Sequence, residues 1–325
     1  MAEPIPAAEP ALAPEPTALS TNVPTRRPLG RLALIAVPYL WSIAFFAIPV
    51  LIVFKISLSS RATAVPPYEP LLDLSAGWEG LKAYVGALGF DNYATILGDP
   101  YYFDAYVSSL RIAAISTALL LAFGYPIAYA MAKAPRDARA ILVMLVILPF
   151  WTSFLIRVYA WIGILKPEGL LNAALISLGV ISEPIPILDT ETAVYIGIVY
   201  SYLPFMVLPL YASLERLDGS LVEAALDLGC TPTGAFWRVT FPLSMPGVVA
   251  GSLLCFIPIV GEFVIPDLLG GTETFMIGRA LWIEFFSNRD WPLASAVAVL
   301  LLLVLTIPIV WHQRRQTREI EEAGR

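Results

Sequence analysis

The sequence predicts an all-α membrane protein of six transmembrane helices with both termini cytoplasmic. Three observations lead there. The chain is 58% hydrophobic and 14% charged, with a mean hydropathy of +0.74, where soluble domains carry about a quarter charged residues. Its apolar residues gather into six runs almost free of charge, each near the roughly 20 residues that cross a bilayer as helix. Its basic residues collect on alternate connections between those runs.

The runs follow in order. Leu32–Phe54 is the first and Ile112–Met131 the second. Ala140–Ile156 is the third and shortest, and it continues past Arg157 to about residue 163. Thr192–Leu214 is the fourth. Gly247–Gly261, extended through Glu262 to Pro266, is the fifth, and Trp291–Trp311 the sixth. A membrane barrel would alternate over segments of about ten residues. A helix satisfies every backbone group inside one continuous run. Pro38, Pro49, Pro126, Pro149, Pro204, Pro209 and Pro258 fall inside the runs. Each would cost about 3 kcal/mol in a soluble helix; in a bundle, neighbours and water re-satisfy the freed carbonyls. They read as packing kinks or as bends that shape a pathway.

Orientation follows from Lys and Arg, which favour cytoplasmic loops. With the N-terminus inside, the inner segments hold Arg26, Arg27, Arg31, Lys133, Arg136, Arg139, Arg216, Arg238, Arg314, Arg315, Arg318 and Arg325, twelve of the twenty basic residues. The acids left on the outer face either concentrate a cationic solute or are there by default. Residues 1–30 are Pro- and Ala-rich and read as a disordered cytoplasmic tail. They carry no apolar segment before a cleavage site, so the first helix reads as an uncleaved anchor. Residues 31–313 form the membrane domain and 314–325 a second tail. Cys230 and Cys255 fall where no disulfide is expected, and no metal-ligand spacing exists. His312 ends the sixth run as an interfacial residue.

The connection at 215–246 contains "EAALDLGCTPTGAFWRVTFP" (223–242). Ser220 three residues before Glu223 predicts a capping box, opening two helical turns over Leu221–Leu228. Gly229 stands where a left-handed residue closes a helix. Thr231-Pro232 predicts a second start, running to about Val239 and stopped by Phe241-Pro242. The result is a compact elbow of two short helices with a small-residue surface at Ala224 and Ala225, a docking element without nucleophile, base or phosphate cradle.

These residues resemble a known signature. Glu223-Ala224-Ala225, with Asp227 inside the same helix, then Gly229, Val239 and Phe241-Pro242, match the cytoplasmic motif of ABC importer permeases at every spacing, with Phe241 where leucine is commoner. The stretches "LPFWTSFLIRVYAWIGIL" (148–165), "LPFMVLPLYASLERLD" (203–218), "GEFVIPDLLGG" (261–271) and "NRDWPLASAVAV" (288–299) resemble the polyamine permeases, and most closely the first permease subunits of putrescine importers. The resemblance spans about Leu29 to Arg318. It implies a type I ABC importer permease architecture in a bacterial inner membrane. It also implies a second, related permease forming a heterodimer, a cytoplasmic ATPase dimer and a periplasmic solute-binding protein. A small cationic substrate and the membrane lipid complete the expected partners, with no nucleic acid. The chain lacks a G-x-x-x-x-G-K-[ST] phosphate loop. It is therefore expected to be non-catalytic and to hold no cofactor, with ATP bound by the partner subunit.

In that reading Glu223, Ala224, Ala225, Asp227, Gly229 and Pro242 couple the chain to the ATPase. Glu262 lies roughly 22 Å along the fifth helix from Gly247, where a carboxylate is costly unless it meets a cavity or partner. It reads either as a pathway residue or as a structural partner of a basic residue such as Arg157, itself expected to snorkel near the outer interface. Asp267 sits one turn beyond. Trp151 and Tyr159 are tentative pathway rings offering cation–π contact, or members of an interfacial belt. The alternatives are a permease for spermidine or another cationic or opine-like solute and, from other classes, a secondary transporter, a channel or a membrane enzyme.

Overall fold

The computed structural model describes residues 28–71, 75, 77–272 and 274–323. Most of the expected N-terminal tail and the last two residues lie outside that set. The chain forms two compact units, one ending at Leu51 and the other running from Ile52 onward.

The first unit holds α1 (Pro28–Ser42), a π-helical turn over Ile43–Ala47 and the start of α2 (Ile48–Ser57). Ser42 Oγ donates to the Pro38 carbonyl at 2.9 Å within it. The helical run Leu34–Ser57 is 24 residues long.

The second unit continues from α2 into a short antiparallel hairpin, β1 (Ser60–Arg61) and β2 (Tyr68–Glu69), with Arg61 opposite Tyr68. Two surface helices follow, α3 (Gly77–Gly86) and α4 (Asp91–Gly98). Then comes α5 (Pro100–Lys133), 34 residues long, opened by Asp99 accepting from the Tyr101 amide and by Pro100 in the first turn.

The third apolar run is not one helix. α6 (Arg136–Ile147) passes into a 3₁₀ turn at Leu148–Trp151, and α7 (Phe154–Leu165) resumes beyond an extended Thr152-Ser153, followed by α8 (Leu170–Ser177). The two halves are bent by 87°. Pro149 cannot donate to the preceding turn, and Thr152 Oγ1 takes up the Pro149 carbonyl at 2.9 Å.

α9 (Glu191–Glu215) is a single 25-residue helix that keeps Pro204 and Pro209 inside it. α10 (Gly219–Asp227), α11 (Pro232–Ala235), a π-turn at Phe236–Thr240 and α12 (Phe241–Leu243) make the elbow. A 62° bend separates it from α13 (Met245–Val260). α14 (Val264–Leu269) and α15 (Ile277–Trp282) fold back as a hairpin, extended by a π-turn at Ile283–Ser287. α16 (Trp291–Ala323) ends the chain as helix through the expected C-terminal tail.

α5, α9 and α13 pack on one another and make the core. Ile112, Leu120, Ile198, Met206, Leu210 and Ile259 are fully buried there. A smaller cluster joins the start of α5 to α15 and α16 through Tyr102, Ala105, Ile277, Ala280 and Val297. Among the described residues three helices are long and apolar enough to cross a membrane, and each bent pair adds one, giving five; Trp291–Ile307 is a shorter apolar helix.

Candidate functional site

The elbow is built by caps. Asp218, not Ser220, opens α10: its Oδ1 accepts from the Ser220 amide at 3.0 Å, and those bonds hold its carboxyl below the usual carboxylate range. Ser220 is already inside the first turn, so the capping box expected there does not form. An ionised acceptor is the stronger partner for orphan amides, and it starts the helix two residues earlier. Glu223 is left exposed. At the other end Gly229 has φ +86°. The Cys230 amide bonds the Ala225 carbonyl at 3.0 Å and the Gly229 amide bonds Leu226 at 2.9 Å, the Schellman closure that the sequence anticipates. Thr231 caps α11 through the Gly234 amide at 3.1 Å, with Pro232 in the first turn.

Phe241-Pro242 does not end this second helix. Pro242 falls in the first turn of α12, where its missing N–H costs nothing, and the break comes at Ser244, just before Pro246.

The elbow's inner side is locked. Tyr125 on α5 and Ser244 share a buried hydroxyl hydrogen bond of 2.9 Å. The Tyr125 ring lies 5.6 Å from Phe236, edge-on, and 5.8 Å from Phe241. Arg139 pairs with Glu215 at 3.2 Å and donates Nε to the Ala134 carbonyl at 2.9 Å, tying the α5–α6 turn to the end of α9. A polar cavity of about 210 Å³ lies between these parts, lined by Lys133, Arg139, Glu215 and Asp218 among others. The outer side is open. Glu223, Ala224, Asp227, Gly229 and Pro242 are all exposed, and so are Leu221, Leu226 and Trp237, with Leu228 86% exposed. Ala225 alone of the named residues turns inward and is buried.

The second site is a carboxylate in a broken helix. α13 ends at Val260, and Glu262 occupies the gap before α14 rather than a continuous span. Its Oε2 accepts from the Tyr202 hydroxyl at 2.6 Å; its Oε1 accepts from the Phe263 and Val264 amides at 3.1 and 3.0 Å. Gly278 on α15 makes this possible. A Cβ there would stand 2.4 Å from the Gly261 carbonyl oxygen and 2.8 Å from that of Glu262, so only glycine lets α15 press on the gap. Beside Glu262, the Phe263 ring stacks on Trp282 at 4.6 Å, and Trp282 meets Phe286 at 4.0 Å. Asp267 is paired with Arg279 at 3.0 Å.

Trp151 and Tyr159 are 71% and 58% exposed. Among the described residues neither shares a ring contact or hydrogen bond with Glu262. The ring that meets the acid is Tyr202 of α9, and the adjacent Phe263 in turn stacks on Trp282 of α15.

Arg157 is neither a partner of Glu262 nor a snorkelling residue. It is 9% exposed, its guanidinium carbon 5.5 Å from the Phe150 ring and 5.8 Å from Phe154, and among the described residues its Nε and Nη1 have no acceptor. The 87° break folds Phe150 back over it, which no span-length count reveals. A further acid, Glu284, was outside the sequence reading. It is 8% exposed and accepts from Tyr102 Oη at 3.0 Å and Asn288 Nδ2 at 2.8 Å. An acid embedded in "ALWIEFFS" is the signal that could have found it.

The family model for "Binding-protein-dependent transport system inner membrane component" matches residues 31–321. The chain is 40% identical over 280 residues to the spermidine/putrescine transport system permease protein PotB of Haemophilus influenzae, covering 86% of this chain and 92% of that one. It is 45% identical over 224 residues to PotB of Escherichia coli, covering 69% and 81%. In fold it is similar to a chain of a bacterial ABC transporter involved in the import of the acidic polysaccharide alginate. That similarity has a TM-score of 0.63 at 16% identity and covers 89% of this chain and 96% of that one.

Proposed function

We propose that this chain, which belongs to the family of binding-protein-dependent transport system inner membrane components, is a permease subunit of an ATP-driven polyamine importer, with putrescine as substrate. It is a multi-pass component of the bacterial inner membrane and a translocation subunit. The importer reading assigns it a second, related permease, a cytoplasmic ATPase dimer that binds the ATP, and a periplasmic binding protein that delivers the amine. It holds no cofactor of its own. The bilayer is crossed six times with both termini inside; the three long helices, two bent pairs and Trp291–Ile307 support that count.

The single observation that carries the mechanism is the elbow's two-sidedness. Its inner side is fixed to α5 by the Tyr125–Ser244 hydrogen bond and by the Tyr125 and Tyr129 rings against Phe236 and Phe241, while its outer side offers Glu223, Ala224 and Asp227 with no side-chain partner among the described residues. A body clamped on one side and open on the other passes on a push. ATP closes the ATPase dimer, α10 moves with the groove that holds it, and α5, α9 and α13 follow as one packed block against the second permease. Glu262 meets the substrate's ammonium in the opened path, with Asp267, Trp151 and Tyr159 further along it. Its three donors keep a negative charge at a fixed point. Spermidine is the second reading, because the relatives' names pair it with putrescine.

Reconstitution with the partner chains tests this. Putrescine-loaded binding protein is expected to raise ATP hydrolysis and drive uptake, more than spermidine-loaded protein does. A preference for spermidine moves the substrate to the second reading. Stimulation by no amine overturns the polyamine reading.

A further inference from the structure

Lys55, at the end of α2, sits in a cage of its own. Its Nζ lies 4.2 Å from the centre of the Tyr68 ring and 5.3 Å from that of Tyr84, and donates to the Pro70 carbonyl at 3.1 Å. Among the described residues no carboxylate stands within ion-pair distance of it. A buried or half-buried ammonium ordinarily takes an acid as partner; here it takes two phenol rings and one carbonyl.

The Tyr68 wall is fixed without help from the lysine. Tyr68 is held on β2 opposite Arg61, whose Nη2 donates to the Asn288 carbonyl at 2.7 Å. Tyr84 comes from α3, and burial raises its phenol above the usual value with Tyr68 adding to the effect, so the ring stays neutral. The floor is pinned by Asn92, which donates to the Ser57 and Ser59 carbonyls at 2.9 and 2.8 Å, and by a 2.6 Å hydrogen bond between Ser57 and Tyr93 hydroxyls.

We infer that this cage is a reception site for the terminal ammonium of the transported amine, with Lys55 as its resident placeholder. The inference rests on the amine-import reading and adds a site to it. A lysine side chain is a four-carbon stem ending in a primary ammonium, the same group that ends putrescine. A cage that fits one fits the other, by two ring faces and one carbonyl acceptor. Exchange then swaps like for like and, among the described residues, breaks no salt bridge. Because the walls among the described residues, Tyr68, Tyr84 and the Pro70 carbonyl, carry no full charge, the hold is weak enough to release its guest inward. Between guests, Lys55 keeps the cage filled.

The test uses the assembled complex. Lys55→Ala empties the cage and leaves its walls. Without binding protein or nucleotide, n-butylammonium and putrescine are expected to raise the thermal stability of the Lys55→Ala complex. The uncharged isostere n-butanol should not, and the triple variant adding Tyr68→Leu and Tyr84→Leu should lose the response. In uptake driven by the binding protein, Tyr68→Leu with Tyr84→Leu is expected to raise KM about tenfold, as two lost ring contacts imply, with kcat held. An equal response of Lys55→Ala and the triple variant to butylammonium overturns the inference and leaves Lys55 a brace for the hairpin. So does an unchanged KM with reduced kcat in the tyrosine variants, which also decides the matter if Lys55→Ala does not assemble. Failure of the import reading looks different: the wild-type complex then ignores every amine-loaded binding protein, whatever the cage binds.

Discussion

At the residue scale, two charges in the apolar bundle, half-buried Glu262 and buried Arg157, have opposite surroundings. Glu262 has three donors on its two oxygens; Arg157 has two nitrogens with no acceptor among the described residues. The proposed pathway role makes a sharp demand on the first. Glu262→Gln keeps an oxygen for the Phe263 and Val264 amides and offers Tyr202 an amide in place of the second oxygen, so the fold is preserved while the charge is lost. Membrane insertion and thermal stability are expected to hold, and amine uptake to fall at least about tenfold, a loss equivalent to about 1.4 kcal/mol of transition-state binding. Full uptake by the variant would remove Glu262 from the path. For Arg157 the expectation is reversed. Each buried polar group left without a partner costs about 1–3 kcal/mol, so Arg157→Met raises the thermal stability of the chain by about that much. A stability loss would mean that the guanidinium is paired where it works. The sequence pointed to Glu262 as an acid in an apolar run. It could not show that Arg157 is shut in, because burial there depends on a fold-back at Thr152-Ser153 that span counting treats as straight helix.

At the element scale, the elbow was legible almost residue by residue, since its signals are local. Gly229 needs φ > 0 and has it, and Thr231-Pro232 starts a helix where it stands. The two misreadings are also local. Asp218 outcompetes Ser220 as cap, and Pro242 is absorbed by the first turn of α12 instead of stopping the chain. The α14–α15 hairpin was not legible. It depends on Gly278 meeting the backbone of Gly261 and Glu262, a contact between residues far apart in sequence, and a short run such as "VIPDLL" has no period of its own. Two substitutions probe the elbow as a unit. Glu223→Lys reverses an exposed charge. Gly229→Asp asks a side chain to occupy the left-handed region at about 1–2 kcal/mol. Both are expected to leave insertion normal and to depress transport together with substrate-stimulated ATP hydrolysis, read in the same vesicles. Normal transport by both variants would argue that the elbow is decoration.

At the scale of the whole molecule, α5, α9 and α13 form one packed block. The elbow is bolted to that block at one end by Tyr125–Ser244 and by the Tyr125 and Tyr129 rings against Phe236 and Phe241. The Glu262 gap follows α13 directly at the other. Apolar runs made the helices legible because a bilayer-length stretch without charge has one good solution. The way they pack was not, since prolines, glycines and single hydroxyl bonds decide it. The central claim is that the exposed face of α10 touches the ATPase and moves with it. A single cysteine tests it most directly: Glu223→Cys in a Cys230→Ser background, with Cys255 buried. In the assembled complex it is expected to cross-link to the ATPase subunit in a manner that changes on ATP binding, and to be shielded from a membrane-impermeant thiol reagent applied outside intact cells. Labelling from outside, or no cross-link to any nucleotide-hydrolysing subunit, would contradict the account.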